Sequence, residues 1–110
     1  MKKLTFLAVF ALFSLGALAQ NKPYCNLYGS IYATETKKGA DFWVYVEDSE
    51  AFADMLVYEE ENKLYADEPG IWYFVDNKGI ADYRIYFTED KSEADFVIYY
   101  TDSPTFAGCK

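Results

Sequence analysis

A unit of 13 residues recurs six times between residues 29 and 108, and it limits the chain to a fold built from six nearly equivalent pieces. The copies span 29–41, 42–54, 55–67, 70–82, 83–95 and 96–108, with Glu68-Pro69 inserted after the third. The fourth position is Tyr in every copy: Tyr32, Tyr45, Tyr58, Tyr73, Tyr86 and Tyr99. The twelfth is always Ala: Ala40, Ala53, Ala66, Ala81, Ala94 and Ala107. The thirteenth is Asp41, Asp54, Asp67, Asp82 and Asp95, then Gly108 in the last copy. The third is always apolar: Ile31, Val44, Val57, Trp72, Ile85 and Ile98.

Each copy opens with Val, Ile, Tyr, Phe and Trp, residues that suit a pleated and half-buried surface. Its middle is polar, as in Glu47-Asp48-Ser49-Glu50 and Asp76-Asn77-Lys78-Gly79, and reads as a turn. The expected unit is a strand of Ala-Asp plus the next five positions, followed by a connection of about six residues. A partial strand is expected over residues 24–28, and no helix beyond residue 19, because nothing there repeats at 3.6 residues. Alternation puts positions twelve, one and three on one face, taken as the core, and positions thirteen, two and four on the other. In this reading the invariant Ala sits where six strands converge and only a methyl group fits. The Asp beside it accepts hydrogen bonds from backbone N–H groups at a strand end.

Connections of this length suit an antiparallel step or a move to a non-adjacent strand, and are short for a helical crossover between parallel neighbours. An open sheet would leave two reactive edges. The expected fold is therefore all-β, in a closed or toroid-like arrangement of six short strands.

The ends of the chain add context. Lys2 and Lys3, an apolar run over 4–15, Gly16 and Ala17-Leu18-Ala19 follow the order of a secretory signal peptide, predicted over 1–19. The run is short for a membrane span. The expected product is residues 20–110, exported to the periplasm, cell surface or exterior, with no membrane insertion after cleavage. Losing the two lysines takes the formal charge from −8 to −10. Such an acidic chain has little with which to track phosphates, so nucleic acid is not an expected partner. In an oxidising compartment Cys25 and Cys109 invite a disulfide that staples the two ends of the array.

The recurring Ala-Asp-x-x-[Ile/Val]-Tyr-[Phe/Val] unit, the run Gly70-Ile71-Trp72-Tyr73-Phe74 and the closing Ala107-Gly108 resemble a family of small bacterial repeat proteins of unknown function, over about residues 24–110. Its members repeat Ser-Gln-Ala-Asp-Leu-Lys-Val-Tyr-Phe. The resemblance implies a toroid-like β fold and a torus-type knotted path, and it supplies no activity or catalytic residues. This chain departs where the family has Gln before Ala, holding Gly39, Phe52, Tyr65, Ile80, Glu93 and Phe106 there.

Chemistry is sparse. The chain has no His, and with its cysteines paired it has no thiol nucleophile. No phosphate-binding glycine loop is present. Carboxylate pairs such as Glu47 with Asp54, or Asp76 with Asp82, read as solvated acids rather than a hydrolase centre. The expectation is a non-catalytic structural or interaction module without a cofactor. Two alternatives belong to binding. Facing outward, the six tyrosines (with Trp43 nearby) would form an aromatic column for a glycan or an extended peptide. Acidic turns would offer oxygen ligands to calcium, although no copy has the spacing of a calcium loop. Repeats place equivalent residues in equivalent packing roles, which favours cross-strand packing for the tyrosines.

Overall fold

The computed structural model describes residues 22–110, so the signal peptide read over 1–19 lies outside the described residues. Each repeat contributes one strand: β1 Gly29–Thr34, β2 Phe42–Val46, β3 Met55–Glu59, β4 Ile71–Phe74, β5 Tyr83–Phe87 and β6 Phe96–Tyr100. A short β7, Gly108–Cys109, follows. The six repeat strands pair in parallel in the order β4-β1-β5-β2-β6-β3, and β3 pairs back to β4. The sheet is thus a closed, all-β barrel.

The strand order explains how connections this short serve parallel strands. The connections from β1 to β2, β2 to β3, β4 to β5 and β5 to β6 each skip one strand. Only β3 and β4 are both consecutive and adjacent. Each connection returns along the barrel wall across the strand it skips. The single 3-10 turns at Glu50–Phe52, Lys78–Ile80, Lys91–Glu93 and Pro104–Phe106 rest on β6, β1, β2 and β3 respectively. The turns form a belt around the barrel, and each later strand slots between two earlier ones. These turns, with a further one at Lys63–Tyr65, are helical features of the repeat that the periodicity did not predict. The turn-forming positions close single i, i+3 bonds, too short to leave a helical period.

Register keeps the inside and outside faces distinct. Ile31 lies beside Tyr83, Ile85 beside Phe42, Val44 beside Phe96, Ile98 beside Met55 and Trp72 beside Gly29. Every step is an offset of two residues, which preserves the alternation of faces round the ring. Hence Ile31, Val44, Val57, Trp72, Ile85 and Ile98 are all 0% exposed and fill the interior. Burying each is worth about 1.5–3 kcal/mol. Trp72 donates its Nε1–H to the Leu27 carbonyl at 3.1 Å, which satisfies the one polar atom of the largest core ring.

Three details differ from the sequence reading. Residues 24–28 are not a strand: Pro23–Asn26 form a 3-10 turn, with Pro23 at its start where its missing N–H costs nothing. That turn carries Tyr24 over the barrel mouth, its ring stacked on Phe96 at 4.2 Å. The alanine column does not form the centre of the core. All six Ala N–H groups close their turns on the carbonyl three residues back, and four of the six alanines are only half-buried. Position two, assigned to the outer face, is nevertheless buried at Ser30, Leu56, Ile71 and Val97, because the belt and the tyrosines cover that face.

Candidate functional site

The aspartates at position thirteen set where each strand starts. Asp41, Asp54, Asp82 and Asp95 each donate their N–H to the carbonyl of a position-two residue on the neighbouring strand, namely Arg84, Val97, Ser30 and Trp43. The Oδ2 of each then accepts the N–H of that same residue at 2.7–2.9 Å. One residue thus holds both backbone groups of another, which locks the offset of two. Gly29, at φ +104°, leaves the space that the Asp82 carboxylate fills. Asp67 makes no such clamp among the described contacts. The Glu68-Pro69 insertion follows it, and Gly108 of β7 occupies the edge of Leu56 that the clamp would have used.

The connections have their own device. The position-eight side chains of Asn62, Asn77, Asp90 and Ser103 accept the N–H two residues on and cap the turns. Asn77 bonding Gly79 in this way shows Asp76-Asn77-Lys78-Gly79 as a capped turn. Glu47 is ion-paired with Lys91 at 2.8 Å, and that hydrogen bond holds its carboxyl below the usual range. With Asp54 and Asp82 engaged in clamps, three of the four carboxylates singled out in sequence serve architecture. Among the described residues no group of three or more His, Cys, Asp or Glu side chains could hold a metal ion.

Cys25 and Cys109 are bonded, joining the Tyr24 turn to β7. The six tyrosines lie on the outer face, each half-buried and each beside a position-two residue of the next strand. The pairs run Tyr32–Arg84, Tyr86–Trp43, Tyr45–Val97, Tyr99–Leu56, Tyr58–Ile71 and Tyr73–Ser30 right round the barrel. Tyr86 and Trp43 meet edge to face at 5.9 Å, with the Lys37 ammonium 5.0 Å from the Trp43 ring. The tyrosines are thus staggered round the barrel rather than stacked in one column.

The most exposed apolar side chains lie in the belt, not on the strands. Phe52, Tyr65, Ile80 and Phe106 at position eleven, with Leu64, are 57–79% exposed. Their placement is uneven. Phe52 lies over β6, Phe106 over β3, Tyr65 on the connection from β3 to β4 and Ile80 over β1, one continuous arc of the ring. The remaining arc, over β5 and β2, carries Gly39, Glu93 and the Lys37–Glu93 ion pair, while the Lys91–Glu47 pair marks its boundary with the apolar arc, the Lys91 ammonium lying 5.5 Å from the Phe52 ring. A cleft of about 280 Å³ opens within the apolar arc, lined by Glu50, Tyr99, Tyr100, Asp102 and Phe106 among others. Burial, then the neighbouring Glu59, pushes the Tyr100 phenol up to about 12. The sequence reading missed this cleft. Its signal was there, in large apolar residues at a position where a turn needs none.

The sequence profile of the 7(1) septoil knot domain matches residues 24–110. No curated protein and no solved structure matches the chain.

Proposed function

Starting from a chain that belongs to the 7(1) septoil knot domain family, whose name describes a path and not an activity, we propose that this protein is an exported, non-catalytic interaction module that presents variable turn residues on an inert scaffold. The observation that carries this reading is a division of labour within the repeat. Positions three, four and thirteen are spent on core, cross-strand cover and clamps, whereas position eleven varies and stands in solvent. Exposed apolar residues in one contiguous arc mark an interaction surface more often than a free face. The disulfide suits an oxidising compartment, and no helix among the described residues is long and apolar enough to cross a membrane. The interlaced winding of the strands, with its ends joined at Cys25–Cys109, supports a knotted path of the torus type that the family name denotes. Acidic turns as a calcium site draw no support from the geometry, since among the described residues no group of three or more His, Cys, Asp or Glu side chains could hold a metal ion.

The test separates surface from architecture. Phe52→Ser, Ile80→Ser and Phe106→Ser should each change stability by no more than about 0.5 kcal/mol, as exposed substitutions do. Ile85→Ala, in the filled interior, should cost about 2–5 kcal/mol. If the turn variants melt as early as the core variant, the belt residues are structural and the interaction reading falls.

A further inference from the structure

 Seven residues line the cleft: the aromatic Tyr99, Tyr100 and Phe106, the acidic Glu50 and Asp102, and the hydroxylic Thr101 and Ser103. No lysine or arginine is among its lining residues. Aromatic faces attract a cation through their quadrupole, and a carboxylate beside them adds charge. The cleft thus has the composition of a socket for a cationic side chain. Phe106 belongs both to the cleft and to the exposed apolar arc, which continues over Phe52, Leu64 and Tyr65. Lys37 is paired with Glu93 on the opposite arc. Lys91 is paired with Glu47 at the edge of the apolar arc, with its ammonium 5.5 Å from the Phe52 ring. Lys110 is held by the Glu50 backbone carbonyl at 2.6 Å, which leaves the Glu50 and Asp102 carboxylates without a basic partner among the described contacts. A second copy of the chain is a poor occupant, because each copy carries a formal charge of −8 before any processing and would be repelled.

We propose that this cleft receives a lysine or arginine side chain of a basic, apolar polypeptide, whose apolar residues lie along the arc of Phe106, Phe52, Leu64 and Tyr65. The proposal rests on the interaction-module reading and adds the chemistry of the partner.

The test uses the disulfide-bonded protein and three fluorescent peptides, read by anisotropy. One peptide is a Lys–Leu amphipathic sequence, the second replaces its Lys with Glu, and the third replaces its Leu with Ser. The Lys–Leu peptide should bind at least about tenfold more tightly than either of the others, and more weakly as salt rises. The double variant Glu50→Gln, Asp102→Asn and the single variant Phe106→Ser should each weaken it by about tenfold while melting at the wild-type temperature. Equal binding of the Lys–Ser peptide would reduce the contact to diffuse charge and overturn the proposal. So would unchanged affinity in the variants, no binding of the Lys–Leu peptide, or binding of an oligosaccharide in its place. A large fall in the melting temperature of Phe106→Ser would instead refute the reading beneath it, and the two failures are read on different instruments.

Discussion

Five aspartates occupy the same place in the repeat, yet the structure gives them three different energetic roles. Asp82→Ala removes the acceptor for the Ser30 N–H, and Ser30 is 1% exposed, so water cannot replace the lost partner. A buried N–H stranded in this way, after losing a charged acceptor, costs about 2 kcal/mol. Asp54→Ala strands the N–H of the buried Val97 and belongs in the same range. Asp41 and Asp95 serve the N–H groups of Arg84 and Trp43 through exposed bonds, so water can take over, and each Ala variant should cost about 0.5–1 kcal/mol. Asp67 clamps nothing among the described contacts, and its variant should stay within about 0.5 kcal/mol of wild type. Urea unfolding at equilibrium measures the series. The midpoints should move with no change of slope, since the surface exposed on unfolding is the same. By heat, a loss of 2 kcal/mol corresponds to a fall of about 8–16 °C in a domain of this size. Asp82→Asn should recover part of the loss, because a neutral amide oxygen is about half as strong an acceptor as a carboxylate. If Asp67→Ala costs as much as Asp82→Ala, the aspartates act through something common to all five, and the clamp account is wrong.

Two further outcomes follow from the geometry. The Cys25–Cys109 bridge spans 84 residues of sequence, and the chain-entropy model assigns such a closure about 4.5 kcal/mol, so reduction or a Cys25→Ser, Cys109→Ser pair should lower the melting temperature by well over 10 °C; an unchanged melting curve would remove the staple from the stability account. Tyr100 keeps its proton up to about pH 12 in the folded chain against an ordinary 10.0, so the folded form binds that proton more tightly, and its contribution is complete below pH 10 and lost as pH rises from 10 towards 12. Tyr100→Phe should flatten that alkaline decline in a series of melts across the same window, and an identical decline in the variant would show that other groups cause it.

Much of this was legible in the chain because a repeat averages out local accidents. Position three alternates correctly in all six copies, so the interior could be named before any coordinates, and the regular offset of two then kept it inside. The aspartates could be assigned to backbone groups because a short carboxylate beside a strand end has few other partners. Residues 24–28 misled because Tyr24 and Leu27 are apolar enough for a strand. They are buried, but as a lid and its anchor on a turn begun by Pro23. The cleft went unseen because Glu50 and Phe106 lie 56 positions apart and meet only where two connections run side by side over β6 and β3.

The sequence by itself determined the unit: a short strand, a capped turn, an inward third position and a clamp at the thirteenth. Each of these depends on contacts within one copy or on a bond that four of the six copies make alike, so composition and period suffice to specify it. Only the tertiary structure decided the order in which the units meet. Connections of one length reach either the adjacent strand or the next but one, and nothing within a repeat distinguishes them. That choice depends on closing the ring, and it alone determines which turns become neighbours, which aspartate is left without a strand to hold, and where the exposed apolar residues gather into one arc.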